Sequence, residues 1–483
     1  MIEQKYHYLL NHVDIALEAP TSGAYIEVKD AANGTSLAWV KQHDRASVEQ
    51  FILRSEQAQA AFKKLTALER ADILMTWYRL ILEHQEDLSQ ILTAEQGKPL
   101  TEARGEIGYA ASFIRWFAEQ ARRIDGDILP SSQAQQRLLV IKQPIGVTAA
   151  ITPWNFPAAM ITRKIAPAIA AGCSMLIKPA EQTPLSAYAL QVLAVQAGLP
   201  PDVMITLSGD SVAVGKTLCE SDIVRKLTFT GSTEVGRILA EQCAPTIKKM
   251  SLELGGNAPV IVFDDANIEQ AVKGILASKF RNSGQTCVCA NRIYIQEGIY
   301  DAVAQRVVEE VNKLKVGDGR IEGTTQGPLV DEAAVAKVEL HIKDALAKGA
   351  ILATGGKRLS EINTFFEPTV LTNVTQDMRV AREETFGPLA PIFSFKTEHD
   401  AVQMANDTEF GLAAYLFTQN ASRQWRVGEA LEYGMVGINT GMISIEVAPF
   451  GGVKQSGLGR EGSKYGIEDY MEIKYTLFGG LGA

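Results

Sequence analysis

Short apolar segments alternate with helical patterns between residues 146 and 260, and this alternation constrains the fold more than any other feature. Strand-like segments recur at 146–151, 174–177 and 226–230. A helix between two successive strands carries the chain back along the sheet, so the strands become parallel and helices cover both faces. The alternation starts again at 259–263, after two consecutive glycines. We therefore predict an α/β fold with two such units.

The segments on either side follow other patterns. Apolar positions at helical spacing occur near 47–96 and again around 100–122, so the first part of the chain is predicted to be helical. A turn-like segment at 128–132 and a strand-like segment at 137–144 predict a hairpin that projects from the body. Residues 470–475 alternate like a strand.

Composition narrows the class of protein. The 483 residues favour about two to four domains. The net charge of -9 gives no reason to expect nucleic acid or an anionic membrane as a partner. Five cysteines, an odd and sparse set, indicate a reducing compartment, and the first twenty residues resemble no targeting signal, so we predict a cytoplasmic protein. The longest apolar stretch, 165–177, is too short for a membrane span, and six scattered histidines predict no metal site.

The first candidate for chemistry is Cys287, in the segment Gly-Gln-Thr-Cys-Val-Cys that begins at Gly284. A cysteine thiolate can attack an electrophilic carbon and form a covalent intermediate. The alternative is a buried structural cysteine, and the residues alone leave the two interpretations equal.

Two polar residues follow apolar strands. Glu253 lies between two leucines, where desolvation raises a carboxyl pKa toward the range of a general base. An outward-facing glutamate on a strand is the commoner explanation for such a residue alone. Asn155 lies in the loop 152–157, at a predicted carboxyl edge of the sheet, and can donate an N–H to a developing oxyanion. The alternative is a proline-rich turn with Trp154 and Phe156 in the core.

Residues 229–236 form a strand, a glycine turn and a helix start, a combination that binds phosphate through backbone N–H groups. The segment lacks the G-x-G-x-x-G spacing, so alone it is a weak dinucleotide signal. Lys178 ends another strand and can reach a ribose or a phosphate, although a surface lysine is the commoner explanation.

Taken together, these segments resemble the aldehyde dehydrogenase superfamily over nearly the whole chain. The motifs that carry the resemblance, in order, are residues 153–157, 178–184, 229–236, 253–256, 284–287 and 384–388. Within the superfamily the chain is most similar to succinate-semialdehyde dehydrogenases, on the strength of residues 161–164, 279–289 and 437–441.

The resemblance implies a Rossmann-like cofactor domain, an α/β catalytic domain and a β-strand oligomerisation arm. The cofactor domain would comprise residues 1–123, 146–253 and a return at 452–468, and the catalytic domain residues 254–451. The arm would combine the hairpin 124–145 with a strand in 469–483, and the protein would be a homodimer or homotetramer.

The resemblance also implies roles for single residues. Cys287 would be the nucleophile, Glu253 the activator of water and Asn155 an oxyanion donor. The cofactor, NAD or NADP, would contact Pro153, Trp154, Lys178, Glu181, Gly231, Ser232, Glu384 and Phe386. The substrate would be a small semialdehyde with a distal carboxylate, held by Arg163 and Arg281 with help from Ser444.

Alternatives stay open for several of these roles. Each arginine can instead form a structural ion pair, and Ile445 beside Ser444 departs from the polar residue expected there. The substrate can be succinic semialdehyde, glutaric semialdehyde or a broader range of aldehydes, and a non-catalytic binding protein can share the fold. Cys289 can form a reversible disulfide with Cys287, or simply pack.

The cofactor expectation leans toward NAD and rests on Glu181. A carboxylate at this position would accept hydrogen bonds from the adenosine ribose and repel the 2′-phosphate of NADP. Lys178 opposes this preference, because it is a nearby cation that can bind the phosphate.

Overall fold

The structure is a computed structural model that describes residues 2–360 and 363–481. Its α-helices, in chain order, are α1 (Arg45–Phe62), α2 (Ala67–Glu83), α3 (Gln85–Gln96), α4 (Leu100–Ala121), α5 (Ala159–Ala171), α6 (Leu185–Gln196), α7 (Ser211–Glu220), α8 (Thr233–Cys243), α9 (Ile268–Lys279), α10 (Tyr300–Val311), α11 (Glu332–Ala347), α12 (Arg379–Arg382), α13 (Glu398–Asn406) and α14 (Ala421–Ala430).

The strands are β1 (Ile15–Ala16), β2 (Tyr25–Lys29), β3 (Ser36–Lys41), β4 (Asp127–Leu129), β5 (Arg137–Pro144), β6 (Val147–Ile151), β7 (Ser174–Lys178), β8 (Met204–Thr206), β9 (Val224–Thr230), β10 (Lys249–Glu253), β11 (Ala258–Val262), β12 (Ala290–Gln296), β13 (Ile351–Thr354), β14 (Thr369–Val374), β15 (Leu389–Phe395), β16 (Ala413–Phe417), β17 (Met435–Ile438), β18 (Gly457–Leu458) and β19 (Met471–Phe478).

The first large sheet has the strand order β18-β10-β9-β6-β7-β8. Strands β10, β9, β6, β7 and β8 are parallel, and β18 joins the edge antiparallel to β10. The apolar strands predicted at 146–151, 174–177 and 226–230 all lie in this sheet. The parallel sheet expected from their alternation with helices is confirmed, and it agrees with the Rossmann-like domain that the family resemblance implies.

The second large sheet has the order β13-β14-β15-β12-β11-β16-β17. It is parallel except for β13, which runs antiparallel to β14 at one edge. Strand β11 lies in the interior of the sheet, between β12 and β16, and its five residues are all buried, as expected for a parallel strand covered on both faces. The predicted restart of the α/β pattern is therefore a second sheet. The exact domain boundaries stay a prediction.

The predicted hairpin and the C-terminal strand share a three-stranded antiparallel sheet with the order β19-β5-β4. All eight residues of β19 pair with β5, from Met471 opposite Pro144 to Phe478 opposite Arg137. Large apolar side chains of β19 are exposed, including Ile473 at 70%. Within the described residues β19 pairs on one side only, so its other edge is open.

The N-terminal region differs from the prediction in one respect. Residues 15–41 form a small antiparallel sheet, β1-β3-β2, and the prediction that the first part is wholly helical is wrong there. The helical pattern predicted near 47–96 is three helices, α1 to α3. Thr66 and Glu69 form a capping box at the start of α2. In residues 2–360 and 363–481, no helix combines the length and apolar character needed to cross a membrane.

Candidate active site

The carboxyl ends of four neighbouring strands carry polar residues in one row. Glu253 is the last residue of β10 and lies opposite Thr230, the last residue of β9. Ile151 ends β6 and lies opposite Lys178, which ends β7. The loop 152–157 leaves β6 at the same edge. Since the strands are parallel, one edge of the sheet collects all these groups, as predicted from the sequence.

The second sheet contributes residues from the opposite side. Cys287 lies in the loop between α9 and β12, and Glu384 and Phe386 lie in the segment between α12 and β15. Strands β12 and β15 are neighbours and parallel, so both segments lie near the amino ends of their strands. The carboxyl edge of the first sheet thus meets the amino edge of the second.

A pocket of about 280 Å³ lies where the two edges meet. It brings together residues predicted from distant parts of the sequence: Pro153, Trp154, Asn155, Gly231, Ser232, Glu253, Cys287, Glu384 and Phe386. Its lining also includes Thr230, Leu254 and Gly255, which lie within predicted motifs but were given no role, and two residues outside every motif, Met160 and Lys337. No sequence motif indicated Lys337, since it lies on the amphipathic helix α11 among ordinary surface positions.

The backbone before Cys287 turns sharply. Asn282, Ser283 and Gly284 have φ angles of 50°, 54° and 75°, all in the left-handed region. A Cβ atom on Gly284 would lie 2.1 Å from the carbonyl oxygen of Gly387. Glycine is therefore required there, and it lets the Cys287 loop pack directly against the segment that carries Glu384.

Burial raises the pKa of the Cys287 thiol to about 11, with the positive charge of Arg163 opposing and the charge of Glu253 reinforcing the shift. The thiol is therefore mainly protonated at neutral pH. Its conversion to the nucleophilic thiolate depends on the charges that surround it, and Arg163 favours the thiolate.

The Glu253 side chain is buried, with 3% of the residue exposed. Neither carboxylate oxygen has a hydrogen-bond partner among the described residues. Burial raises the pKa of Glu253 well above its ordinary value, Glu461 adds to the rise, and Arg163 and Lys164 oppose it. A carboxylate whose pKa is raised in this way is a stronger base than an exposed glutamate, which is the property a general base needs.

Asn155 connects the two loops at the pocket. Its side-chain Nδ2 donates to the backbone carbonyl of Gln285, two residues before Cys287, at 3.0 Å. An amide NH₂ group has two protons, so this bond uses one of them. Beside it, Trp154 and Phe386 pack edge to face with ring centroids 5.7 Å apart.

The turn after β9 suits a dinucleotide phosphate. Ser232 is the N-cap of the eleven-residue helix α8, and its hydroxyl accepts a bond from the N–H of Val235. A Cβ atom on Gly231 would come within 2.3 Å of the Phe229 ring, so the turn needs a residue without a side chain. Amide groups at such a helix start, with the helix dipole, favour an anion.

Glu384 provides a further polar contact in the pocket. Its carboxylate accepts the backbone N–H of Gly256 at 3.2 Å. Burial raises the pKa of Glu384 to about 7, and that hydrogen bond and the charge of Lys337 oppose the rise. A carboxylate here can accept hydrogen bonds from ribose hydroxyls, so these residues fit a nicotinamide dinucleotide.

Lys178 and Glu181 are not in the lining of this pocket, and Glu181 lines a different cavity. The Lys178 ammonium donates to the hydroxyl of Ser211 at 2.6 Å and lies 3.5 Å from the Glu181 carboxylate. The Ser211 hydroxyl donates to the same carboxylate oxygen at 2.8 Å. The three side chains form one polar cluster at the end of β7.

The two predicted substrate arginines have different surroundings. Arg163 is buried on α5 and ion-paired with Glu461, and its guanidinium lies 4.2 Å from the Phe450 ring centroid. These contacts favour the structural alternative for Arg163. Arg281 is half-buried, lies 5.3 Å from the Phe156 ring centroid and has no ion-pair partner among the described residues. Ser444 is half-buried, in the loop after β17.

Cys289 is buried and outside the pocket lining. Its Sγ donates to the backbone carbonyl of Lys279 at 3.3 Å, and the Lys279 ammonium lies 3.3 Å from the same sulfur. Both Cys287 and Cys289 are free thiols in this structure. The contacts with Lys279 favour the packing alternative for Cys289.

Comparison with known proteins finds relatives that are similar to this chain over nearly its whole length. The chain is 61% identical over 458 residues to the NADP(+) succinate-semialdehyde dehydrogenase GabD of Escherichia coli, covering 95% of each chain. It is 60% identical to a glutarate-semialdehyde dehydrogenase of Pseudomonas putida, with 94% coverage of each. A 3-sulfolactaldehyde dehydrogenase of Pseudomonas putida is 56% identical over 100% of both chains. These matches confirm the resemblance inferred from the motifs.

The comparisons correct the cofactor expectation. The preference for NAD over NADP is wrong, because the relative from Escherichia coli is named for NADP(+). The polar cluster gives a physical reason. The Glu181 carboxylate already receives a hydrogen bond from Ser211 and lies near the Lys178 ammonium, so its charge is partly compensated and does not stand free to repel a phosphate.

Solved structures show the same architecture. The crystal structure of an NADP-dependent enzyme from Escherichia coli superimposes with a TM-score of 0.94 at 59% identity, over 96% of this chain and 98% of that one. The sequence pattern of the aldehyde dehydrogenase family matches residues 18–476. The fold, the motifs that meet in the pocket and this match agree, and the chain belongs to the aldehyde dehydrogenase family.

Proposed function

We propose that this aldehyde dehydrogenase oxidises a small aldehyde that carries a distal anionic group, with succinic semialdehyde as first substrate and glutaric semialdehyde as second, and that it uses NADP. The observation that carries the proposal is the pocket that unites Cys287, Glu253 and Asn155, with the positive charge of Arg281 acting on the Cys287 thiol. The names of the relatives support the anionic substrate, since succinate and glutarate semialdehydes both carry a carboxylate.

In the proposed mechanism the Cys287 thiolate attacks the aldehyde carbon, and a carbon–sulfur bond forms as the carbonyl oxygen becomes an oxyanion. The free N–H of Asn155 and the backbone N–H of Cys287 stabilise that oxyanion. A bound nicotinamide dinucleotide supplies the hydride acceptor that no side chain can provide. Loss of hydride from the tetrahedral carbon leaves a thioester on Cys287.

Hydrolysis of the thioester needs a base, and this role is assigned to Glu253 because it lines the same pocket as Cys287. The Glu253 carboxylate takes a proton from water, the resulting hydroxide attacks the thioester carbon, and the carbon–sulfur bond breaks. The product is a carboxylate, and Cys287 is released as a thiol or thiolate. The raised pKa of Glu253 makes its carboxylate a stronger base than an exposed glutamate.

The experiment that tests this function follows reduction of the cofactor at 340 nm with an aldehyde panel, with and without coenzyme A. Oxidation that needs no coenzyme A supports hydrolysis of the thioester. A strict requirement for coenzyme A would show that coenzyme A, and not water, accepts the acyl group from the thioester. The absence of any cofactor reduction over the whole panel would support the non-catalytic alternative.

Arg281 is expected to select the anionic end of the substrate. Its guanidinium has no ion-pair partner among the described residues, and the charge-assisted hydrogen bonds that it can form with a carboxylate contribute about 1.5–3 kcal/mol. Arg281→Met should therefore lower kcat/KM for succinic semialdehyde by roughly 10- to 100-fold and leave butanal within about threefold. Arg306→Met is the matched control, because Arg306 pairs with surface glutamates far from the pocket. Wild-type enzyme that oxidises both aldehydes equally well would contradict the proposal.

One relative favours a second candidate substrate. The 3-sulfolactaldehyde dehydrogenase matches the whole chain, and its substrate name describes an aldehyde that carries a sulfonate. A guanidinium binds a sulfonate by the same charge and hydrogen-bond pattern as a carboxylate. A sulfonated aldehyde therefore belongs in the panel, and the ratio of kcat/KM between the two anions decides the assignment.

Lys178 is the proposed partner of the 2′-phosphate of NADP. The ammonium is buried at the end of β7, and its contacts with Ser211 and Glu181 can be exchanged for phosphate oxygens. Lys178→Met should lower kcat/KM for NADP by about tenfold more than for NAD, the discrimination expected from a lost charge pair of about 1.4 kcal/mol. Both cofactors are measured at saturating aldehyde. An equal loss for NADP and NAD would show that Lys178 does not contact the phosphate.

The open edge of β19 is the proposed site of homo-oligomer formation. An edge strand with free backbone N–H and C=O groups and exposed apolar side chains readily pairs with another chain. A homodimer or homotetramer built through this strand would bury Ile473 and Tyr475, which are exposed in the single chain.

A further inference from the structure

Helix α4 and the residue pair before it carry buried charges that the mechanism above does not use. Lys98 and Glu106 are 2% and 4% exposed, and Glu102 is half-buried one turn from Glu106. Glu102 and Glu106 lie four residues apart on α4 and so share one face of the helix, and Lys98 lies just before the helix begins. That face points at both loops of the active site.

Glu106 holds the start of α5. Its Oε1 accepts the backbone N–H groups of Ala158 and Ala159, at 2.9 and 3.2 Å. The first amides of a helix have no partner within that helix, and the N-cap residue Ala158 has no side chain able to supply one. A carboxylate from α4 therefore acts as the cap of α5, which begins directly after the Asn155 loop.

Lys98 holds the backbone of Asn155. Its ammonium donates to the Asn155 carbonyl at 2.8 Å and to Glu106 Oε2 at 2.6 Å. It also lies 3.9 Å from the centroid of the Phe156 ring. With two hydrogen bonds and a cation–π contact, the charge is fully engaged, and Lys98 lies outside the pocket lining.

A second hydrogen bond to the Asn155 carbonyl comes from the loop before Cys287. Asn282 Nδ2 donates to the same Asn155 carbonyl at 3.0 Å, and the Asn282 backbone N–H donates to Glu102 at 2.9 Å. The Asn155 carbonyl thus receives one donor from each side, Lys98 from α4 and Asn282 from the loop before Cys287. Both fix the peptide from which the Asn155 side chain extends.

We propose that Lys98, held by Glu106, is a positioning residue that sets the oxyanion donor Asn155 relative to Cys287. This inference rests on the proposed function, in which Asn155 stabilises the oxyanion. An oxyanion donor must lie within a few tenths of an ångström of its place, and a displacement of about 1 Å costs roughly 10²-fold in rate. Lys98 fixes that place through the backbone without touching the substrate.

The test uses double variants, because Lys98→Met alone would leave the Glu106 charge buried without its partner. Glu106→Gln keeps the carbonyl oxygen that accepts the two α5 amides. The variant K98M/E106Q removes the donor to Asn155, whereas K98Q/E106Q has the same charge and offers an amide N–H to the same carbonyl. Both are full-length proteins assayed for the pre-steady-state burst of reduced cofactor.

We expect K98M/E106Q to slow the burst by about 10- to 100-fold with KM values within about threefold of wild type. K98Q/E106Q should recover at least part of the loss. Lys248→Met is the matched control for stability, since the buried Lys248 ammonium binds the carbonyls of Ser221 and Val224 away from the pocket. It should lower Tm and leave the burst unchanged.

A double-mutant cycle with Asn155→Ala separates an effect of Lys98 on the position of Asn155 from a general loosening of the fold. If Lys98 acts through Asn155, K98M/E106Q should slow the N155A enzyme by less than about threefold, because the side chain it positions is absent. The inference would be overturned if the losses from K98M/E106Q and N155A multiplied in full. Equal bursts for K98M/E106Q and K98Q/E106Q, or a wild-type burst rate in K98M/E106Q, would also overturn it. If K98M/E106Q shows no cooperative melting and so is not folded, the double-mutant cycle with K98Q/E106Q alone decides the question. A wild type that reduces no cofactor with any aldehyde of the panel would overturn the proposed function, and this inference with it.

Discussion

Cys287→Ala is expected to lower dehydrogenase turnover by on the order of 10⁴-fold or more, because no thiolate remains to form the covalent intermediate. Cofactor binding should persist, since the residues that fit the dinucleotide are untouched. Trp154 lines the same pocket, so quenching of tryptophan fluorescence on cofactor addition measures that binding directly.

Cys289→Ala is the matched control for this loss. It removes a second thiol only two residues away, but that thiol is buried against Lys279 and outside the pocket. Turnover within about threefold of wild type is expected. Substantial turnover in Cys287→Ala would show that the covalent mechanism is wrong, and a loss in Cys289→Ala as large as in Cys287→Ala would show that the loop tolerates no change.

Glu253→Gln should separate the two halves of the reaction. Hydride transfer precedes the use of the base, so a burst of about one reduced cofactor per active site should remain, and steady-state turnover should fall by about 10²–10⁴-fold. The sign of the pH dependence follows from the raised pKa of Glu253. Its basic form grows as pH rises, so wild-type deacylation should accelerate with pH, and Glu253→Gln should lose that acceleration.

Glu95→Gln provides a buried glutamate for comparison. Burial raises the pKa of Glu95 to about 8, but its carboxylate accepts the backbone N–H groups of Leu185 and Ser186 at the start of α6. Its replacement should leave both the burst and the steady-state rate within a few fold of their wild-type values. A Glu253→Gln enzyme whose burst and turnover fall together would refute a role restricted to deacylation.

Local signals in the sequence were sufficient for much of this site. Parallel strands end at one edge, so residues that follow apolar strands, such as Asn155, Lys178 and Glu253, could be predicted to lie together. The position of Cys287 needed the family resemblance, because a lone cysteine in a loop reads equally well as a packing residue. The small sheet at 15–41 was missed because its strands are short and only partly buried.

Partners that are distant in sequence could not be predicted. Glu461 pairs with Lys164 across 297 positions, and nothing near Arg163 in the sequence indicates that its charge is already matched. Ser211 lies 33 positions from Lys178, so the neutralising contact that weakens the argument for Glu181 was equally hidden. Pairwise chemistry of this kind depends on the completed fold.

The insertion of β18 beside β10 has a consequence for how the chain is made. Synthesis proceeds from the N-terminus, and the first sheet receives its edge strand only when residues 457 and 458 have emerged. Until Glu461 follows, two cations destined for the interior, Arg163 and Lys164, lack their shared counter-ion, and a buried charge without its partner costs several kcal/mol. The native packing around these two cations therefore closes only after residue 461 has been made.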